Sequence, residues 1–215
     1  MQSLETIGLA ALSNAGDFRT SYELARRCIR EGIPGDFVEC GVFGGSQCAA
    51  MARAIWDEFA PYEERRANGA IQGRRIHLFD SFEGVPEPGP EDRDFVRGGN
   101  GKGTAACSLE TVKSHMQQWG VPDELFVYHK GWFALNGFIG DDNAVTGAAL
   151  WPKSIAFLRL DLDLYDGTLG ALRVLYPALS PGGFCVIDDY ALDGCRQAVN
   201  EYMGGGFPPI TWQKP

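Results

Sequence analysis

Positive charge is scarce in this chain of 215 residues: 19 lysines and arginines stand against 28 aspartates and glutamates, a formal net charge of −9. Such a balance does not draw nucleic acid or an anionic membrane from a distance, which argues against both as primary partners. Long apolar runs are missing as well. The first fifteen residues include Ile7, Leu9, Ala10, Ala11 and Leu12 but no basic stretch ahead of them, so neither a signal peptide nor a membrane span is expected. The six cysteines (Cys28, Cys40, Cys48, Cys107, Cys185, Cys195) show no C-x-x-C or C-x-x-H spacing. Free thiols in a reducing cytoplasm account for them better than a zinc site or a disulfide framework. Three signatures are absent: the dinucleotide fingerprint G-x-G-x-x-G, the P-loop and the nucleophile elbow G-x-S-x-G. Covalent hydrolysis and nucleoside triphosphate chemistry are thereby disfavoured.

What the chain does have is acid at the ends of apolar runs. Leu158 to Tyr165 reads L-R-L-D-L-D-L-Y, and Val186 to Tyr190 reads V-I-D-D-Y. An apolar, β-prone run that stops abruptly in carboxylates is the pattern of a buried parallel strand opening into a site. The stretch between them predicts a helix over 168–179, closed by Ser180-Pro181-Gly182-Gly183. Strand, helix and strand joined by a right-handed crossover place both acid clusters on one edge of the sheet, where α/β proteins bind ligands. Four converging carboxylates (Asp161, Asp163, Asp188, Asp189) repel unless protonated or neutralised, and an all-oxygen set suits a hard divalent cation such as Mg²⁺. Taken singly, each Asp could equally cap a helix or close a turn.

A second constellation lies upstream. Asp36 to Cys40 reads as the first strand and is followed at once by Gly41-Val42-Phe43-Gly44-Gly45-Ser46 and a helix over 47–59. Glycines at that turn let the backbone come close to a ligand, and the free N–H groups of the helix start favour an electronegative group. Glu39, just ahead of the turn, suits a cationic or hydroxyl-bearing cofactor better than a pyrophosphate. The next strand, 75–80, ends in Asp80, the position at which doubly wound folds hold ribose hydroxyls.

The remaining elements follow the same alternation. A helix is expected over 17–32, within an N-terminal helical cap of residues 1–33. The Pro-, Gly- and acid-rich segment 85–104 reads as a mobile lid or substrate loop. A helix over 109–119, a strand over 125–128 ending at His129, a loop over 137–149, a helix over 193–203 and one edge strand near 210–213 complete the reading. The whole is one domain of about the size that buries roughly 70% of its unfolded surface, an α/β fold with a doubly wound, mostly parallel sheet. His77 and His115 fall inside elements, where a structural role is expected. Of the three histidines only His129 sits at a strand end, where a chemical role is open to it.

Several of these motifs together, in order from Pro34 to Tyr202, resemble the macrocin O-methyltransferase family: Phe37 to Val42 with Gly44-Gly45-Ser46, Leu78 to Pro86, Leu158 to Tyr165, and Gly182 to Tyr190 with Cys195, Ala198 and Val199. The resemblance implies a Rossmann-like class I methyltransferase fold. It also implies an enzyme that uses S-adenosylmethionine and Mg²⁺ to methylate sugar hydroxyls on natural products. It implies that Glu39, Gly41, Gly45, Ser46, Asp80 and Ser81 line the S-adenosylmethionine site, that Asp161, Asp188 and Asp189 hold the metal, and that Asp163 is the general base. The chain departs from the family pattern at Phe43, where an arginine is usual, at Asp166-Gly167-Thr168, after Trp132-Phe133, and in a shorter C-terminal segment. Loops and terminal segments of this kind shape an acceptor pocket. The expected partner is thus a small-molecule hydroxyl acceptor, with the choice between monomer and homodimer left open. Two other classes compete: a nicotinamide-dependent oxidoreductase, against which the missing fingerprint counts, and a non-catalytic S-adenosylmethionine-binding relative, against which the four retained acids count.

Overall fold

A computed structural model describes residues 1–10, 15–58, 74–140, 151–204 and 211–214. Its centre is a seven-stranded sheet, β1 (Asp36–Cys40), β2 (Ile76–Asp80), β3 (Phe126–Ala134), β4 (Gly137–Gly140), β5 (Ile155–Leu160), β6 (Leu179–Ile187) and β7 (Thr211–Gln213), in the order β4-β3-β2-β1-β5-β6-β7. Strands β3, β2, β1, β5 and β6 run parallel, and β4 and β7 pair antiparallel at the two edges. The chain winds outward from β1 in one direction and returns to β5 at its other side. The crevice between β1 and β5 is therefore the switch point at which such sheets bind ligands.

Helices cover both faces. On one lie α1 (Leu4–Ala10), α2 (Ala15–Arg30), α3 (Ser46–Glu58) and α5 (Leu109–Gln118). The other carries α6 (Tyr165–Leu175) and α7 (Asp193–Met203), and a short α4 (Arg93–Arg97) lies in the 85–104 segment. The period-2 alternation of a strand buried on both sides divides the core in two. Phe37, Ile76, Leu78 and Phe157 face α2, α3 and α5. Val38, Cys40, Phe79, Leu158 and Leu160 face α6 and α7. Tyr22 belongs to the first core, its hydroxyl donating to Asp57 at 2.6 Å. All six cysteines are free, and no helix among the described residues is long and apolar enough to cross a membrane.

Several boundaries differ from the sequence expectation. The strand expected to run from Leu158 into the acids ends at Leu160, because Asp161 to Leu164 turn away in a loop whose Leu164 N–H donates to Leu162 O. The following helix starts at Tyr165 and ends at Leu175. Ser180 to Gly183, expected as its stop signal, lie within β6, where Gly182 and Gly183 exchange backbone hydrogen bonds with Lys214. Strand β3 continues to Ala134, and residues 137–140 of the expected 137–149 loop form β4, which folds back on it in a hairpin. The rest of that loop, and the polar 61–73 stretch, lie outside the described residues.

Candidate active site

An open cleft of about 670 Å³ lies at the C-terminal ends of the parallel strands, walled by Gly41, Phe43, Asp80, Ser81, Trp132, Asp161 and Asp163 among others. The glycine turn and the β5 acids touch directly. A Cβ on Gly41 would lie 1.6 Å from the carbonyl oxygen of Asp161, and with φ +82° only glycine fits there. Gly45 solves a different problem: its φ is +86° and a Cβ would lie 2.6 Å from Met116 Cε of α5. It lets two helices close up, and neither it nor Ser46 is in the wall of the cleft.

Asp80 holds the turn together. One oxygen accepts from the N–H groups of Val42 (2.6 Å) and Phe43 (3.2 Å), and the other from Phe82 N–H (2.6 Å). Burial raises its pKa, while the three donors act in the opposite sense. Ser81 stabilises the next turn, donating to Gly84 O at 2.8 Å and accepting from Glu83 N–H at 3.0 Å.

On the other side of the crevice, Asp161, Asp188 and Asp189 each bring a ligand atom within 4.8 Å of the others. Asp163 stands beside them with φ +59°, an unusual conformation for a residue with a side chain, and its N–H donates to Asp189 at 2.9 Å. Burial, followed by the charges of Asp161 and Asp188, lifts the Asp163 carboxyl to about 6. Burial likewise lifts Asp189 well above the usual carboxylate range. Four carboxyls thus crowd one rim. A hard divalent cation fits this all-oxygen donor set and the repulsion within it.

Besides Gly45 and Ser46, two further placements differ from the sequence expectation. Glu39 is 1% exposed and not in the wall of the cleft; its carboxylate accepts from Cys48 Sγ at 2.7 Å and meets Arg159 at 3.4 Å. Burial pushes it up to about 8 against the pull of Arg159. His129 is fully buried, stacked on Phe79 at 4.0 Å and hydrogen-bonded to His77 at 2.9 Å, and burial followed by the neighbouring His77 pushes it down to about 3. It cannot reach a hydroxyl in the cleft, so Asp163 has no histidine rival among the described residues of the wall.

Sequence reasoning gave no role to Arg159. This side chain is 1% exposed, and its Nη1 donates to Asp161 at 2.6 Å; its Nη2 lies 2.7 Å from Asp188 Oδ1 as an ion-pair contact rather than a linear hydrogen bond. The signal was present as a single cation inside the apolar run Ile155 to Leu160. Segment 85–104 also has a definite seat. Asp92, 2% exposed, accepts from the N–H of Tyr165 at the start of α6, and Asp94 accepts from the N–H of Asp193 at the start of α7, both at 2.8 Å.

Residues 10–205 match the model of the family described as macrocin-O-methyltransferase (TylF). The chain belongs to this family. Among curated relatives, it is 39% identical over 189 residues to the 8-demethyl-8-(2,3-dimethoxy-alpha-L-rhamnosyl)-tetracenomycin-C 4'-O-methyltransferase of Streptomyces olivaceus, covering 85% of this chain and 64% of that protein. It is 32% identical over 201 residues to the mycinamicin III 3''-O-methyltransferase of Micromonospora griseorubida, covering 91% of this chain and 68% of the relative. The chain thus spans about two thirds of the length of each. Among solved structures, the O-methyltransferase NovP superposes with a TM-score of 0.70 at 28% identity, over 92% of this chain and 79% of that one. Family membership and this likeness agree with the class I methyltransferase topology of the sheet.

Proposed function

We propose that the protein is an S-adenosylmethionine-dependent, divalent-metal-dependent O-methyltransferase of the cytoplasm that methylates a sugar hydroxyl on a glycosylated natural product. The observation that carries this reading is the meeting of two strand-end constellations at one cleft, the Asp80-held glycine turn and the Asp161 and Asp163 carboxylates of its wall, with Asp188 and Asp189 clustered beside Asp161, in a chain of this family. The relatives, named for methylation of sugar-bearing tetracenomycin and mycinamicin compounds, support a saccharide acceptor.

When bound, S-adenosylmethionine supplies an electrophilic methyl group and a divalent cation supplies Lewis acidity toward a hydroxyl oxygen. The chain's own residues do the rest. Gly41, Asp80 and Ser81 form the cofactor side of the cleft, with Asp80 fixing the turn. Asp161, Asp188 and Asp189 hold the metal. Asp163, facing the cleft with a carboxyl raised to about 6, takes the acceptor's proton near neutral pH as general base. Phe43 and Trp132, exposed aromatic side chains in the wall of the cleft, offer apolar surface to a ligand.

Calorimetry with S-adenosylhomocysteine, NAD and Mg²⁺ tests the reading. S-adenosylhomocysteine should bind and NAD should not, and methyl transfer to a panel of glycosylated natural products and nucleotide sugars should stop on addition of EDTA. Tight NAD binding with no heat from S-adenosylhomocysteine would overturn the cofactor, and turnover indifferent to EDTA would overturn the metal.

A further inference from the structure

The carboxylate cluster already contains a cation. Glu39 of β1 and Arg159 of β5 are register partners on adjacent strands and point to the same face. From there the guanidinium reaches Asp161, two residues further along, and Asp188, which continues β6 beside the end of β5 through its N–H bond to Leu160 O. We propose that Arg159 is a positioning residue that serves as resident counter-cation of the metal site, holding Asp161 and Asp188 in place and sharing their charge with the divalent ion. The inference rests on the metal reading above.

The distances decide between this role and a plain structural ion pair. A buried arginine needs a carboxylate partner, and Glu39 alone would supply one. Yet Glu39 is the distant partner at 3.4 Å, while the two contacts to the cluster are 2.6 and 2.7 Å. Two separate carboxylates just past the ends of two strands are bridged by one planar, rigid fork, a geometry that the single-point ammonium of lysine does not reproduce. The third acid, Asp189, is tethered by the N–H of Asp163. Asp161 and Asp189 are thus each held by a hydrogen-bond donor, and Asp188 by an ion-pair contact, before any metal arrives. The same arrangement makes Arg159 and a divalent ion competitors for one pool of negative charge. Without Arg159 the acids repel more strongly, and the ion should bind more tightly and contribute more to folding.

Arg159→Met and the wild-type chain are compared by thermal unfolding in EDTA and in Mg²⁺, and by Mn²⁺ titration read by electron paramagnetic resonance. In EDTA the variant should melt below wild type. Mg²⁺ should raise its melting temperature by more than it raises that of wild type, and Mn²⁺ should bind at least about tenfold more tightly, as expected when a charge beside the ion is removed. A structural pair would lower the melting temperature equally with and without metal and leave Mn²⁺ affinity unchanged, which would overturn the proposal, as would weaker Mn²⁺ binding. No Mn²⁺ binding by wild type would bring down the metal reading and the proposal with it. If Arg159→Met does not fold even in Mg²⁺, Arg159→Gln carries the test: with a polar donor kept and the charge removed, Mn²⁺ should again bind at least about tenfold more tightly than to wild type, and unchanged or weaker binding would overturn the proposal.

Discussion

On the β1–β2 side of the crevice Asp80 divides its two oxygens among three backbone N–H donors, whereas on the β5–β6 side Asp161 and Asp188 share one guanidinium and Asp189 has one N–H. The first carboxylate is part of the backbone's own hydrogen-bonding scheme, so its geometry is complete without a ligand. The second group has fewer donors than acids: burial first, and then the charges of the neighbouring aspartates, raise the pKa values of Asp163 and Asp189. A site built the first way is ready to recognise a fixed ligand; one built the second way is ready to take up positive charge and a proton.

The sharpest way to test this contrast is on the repelling side. Asp163→Asn should lower turnover by about 10²–10⁴, the usual share of general-base catalysis, with S-adenosylhomocysteine and Mn²⁺ affinities nearly unchanged. Asparagine tolerates the left-handed backbone that Asp163 adopts, so the change removes the base and leaves the turn. Near-normal turnover would show that the acid is not the base.

On the backbone-satisfied side, Asp80→Ala should weaken S-adenosylhomocysteine binding by roughly 1.5–3 kcal/mol, the scale of a charge-assisted hydrogen bond, while Mn²⁺ binding is spared. Calorimetry on the folded variant checks both halves. If the loss falls on Mn²⁺ instead, the division between the two sides is wrong.

The smallest effect concerns the segment that joins the sides. Residues 85–104 leave the β2 end and are latched by Asp92 and Asp94 onto the first turns of α6 and α7, the helices that follow the two acid-bearing strands. Asp92→Ala should cost about 1 kcal/mol of that latch, the typical worth of a helix N-terminal acceptor, and so raise the open population about fivefold. Limited proteolysis should then cut within 85–104 faster than in wild type, and Mg²⁺ with S-adenosylhomocysteine should slow the cut. Cleavage first elsewhere, or an unchanged rate, would remove the latch.

Much of this site was legible along the chain because its parts are local. A strand that stops in acid, a glycine turn before a helix and an aspartate after the next strand each reveal themselves within a few residues, and their order fixed the doubly wound topology with Asp80, Asp161, Asp163, Asp188 and Asp189 on one edge. What depended on neighbours far apart in sequence was not legible. Glu39 reads as a cofactor ligand from its place before the glycines, yet the pairing of β1 with β5 sets it against Arg159 and away from the cleft. His129 reads as a base from its strand-end position, yet the pairing of β2 with β3 stacks it on Phe79. The β4 hairpin did carry a local signal, Asn136-Gly137 at its turn, within what reads as the edge of a loop, whereas the latch joins residues 73 and 99 positions apart. The sequence by itself determined which chemistry stands at the strand ends, because hydrophobic periodicity and turn residues act over a few positions. Only the tertiary structure decided which of those groups face the cleft and which are buried as partners of one another, because side-chain direction and cross-strand register are set by the packing of the whole sheet.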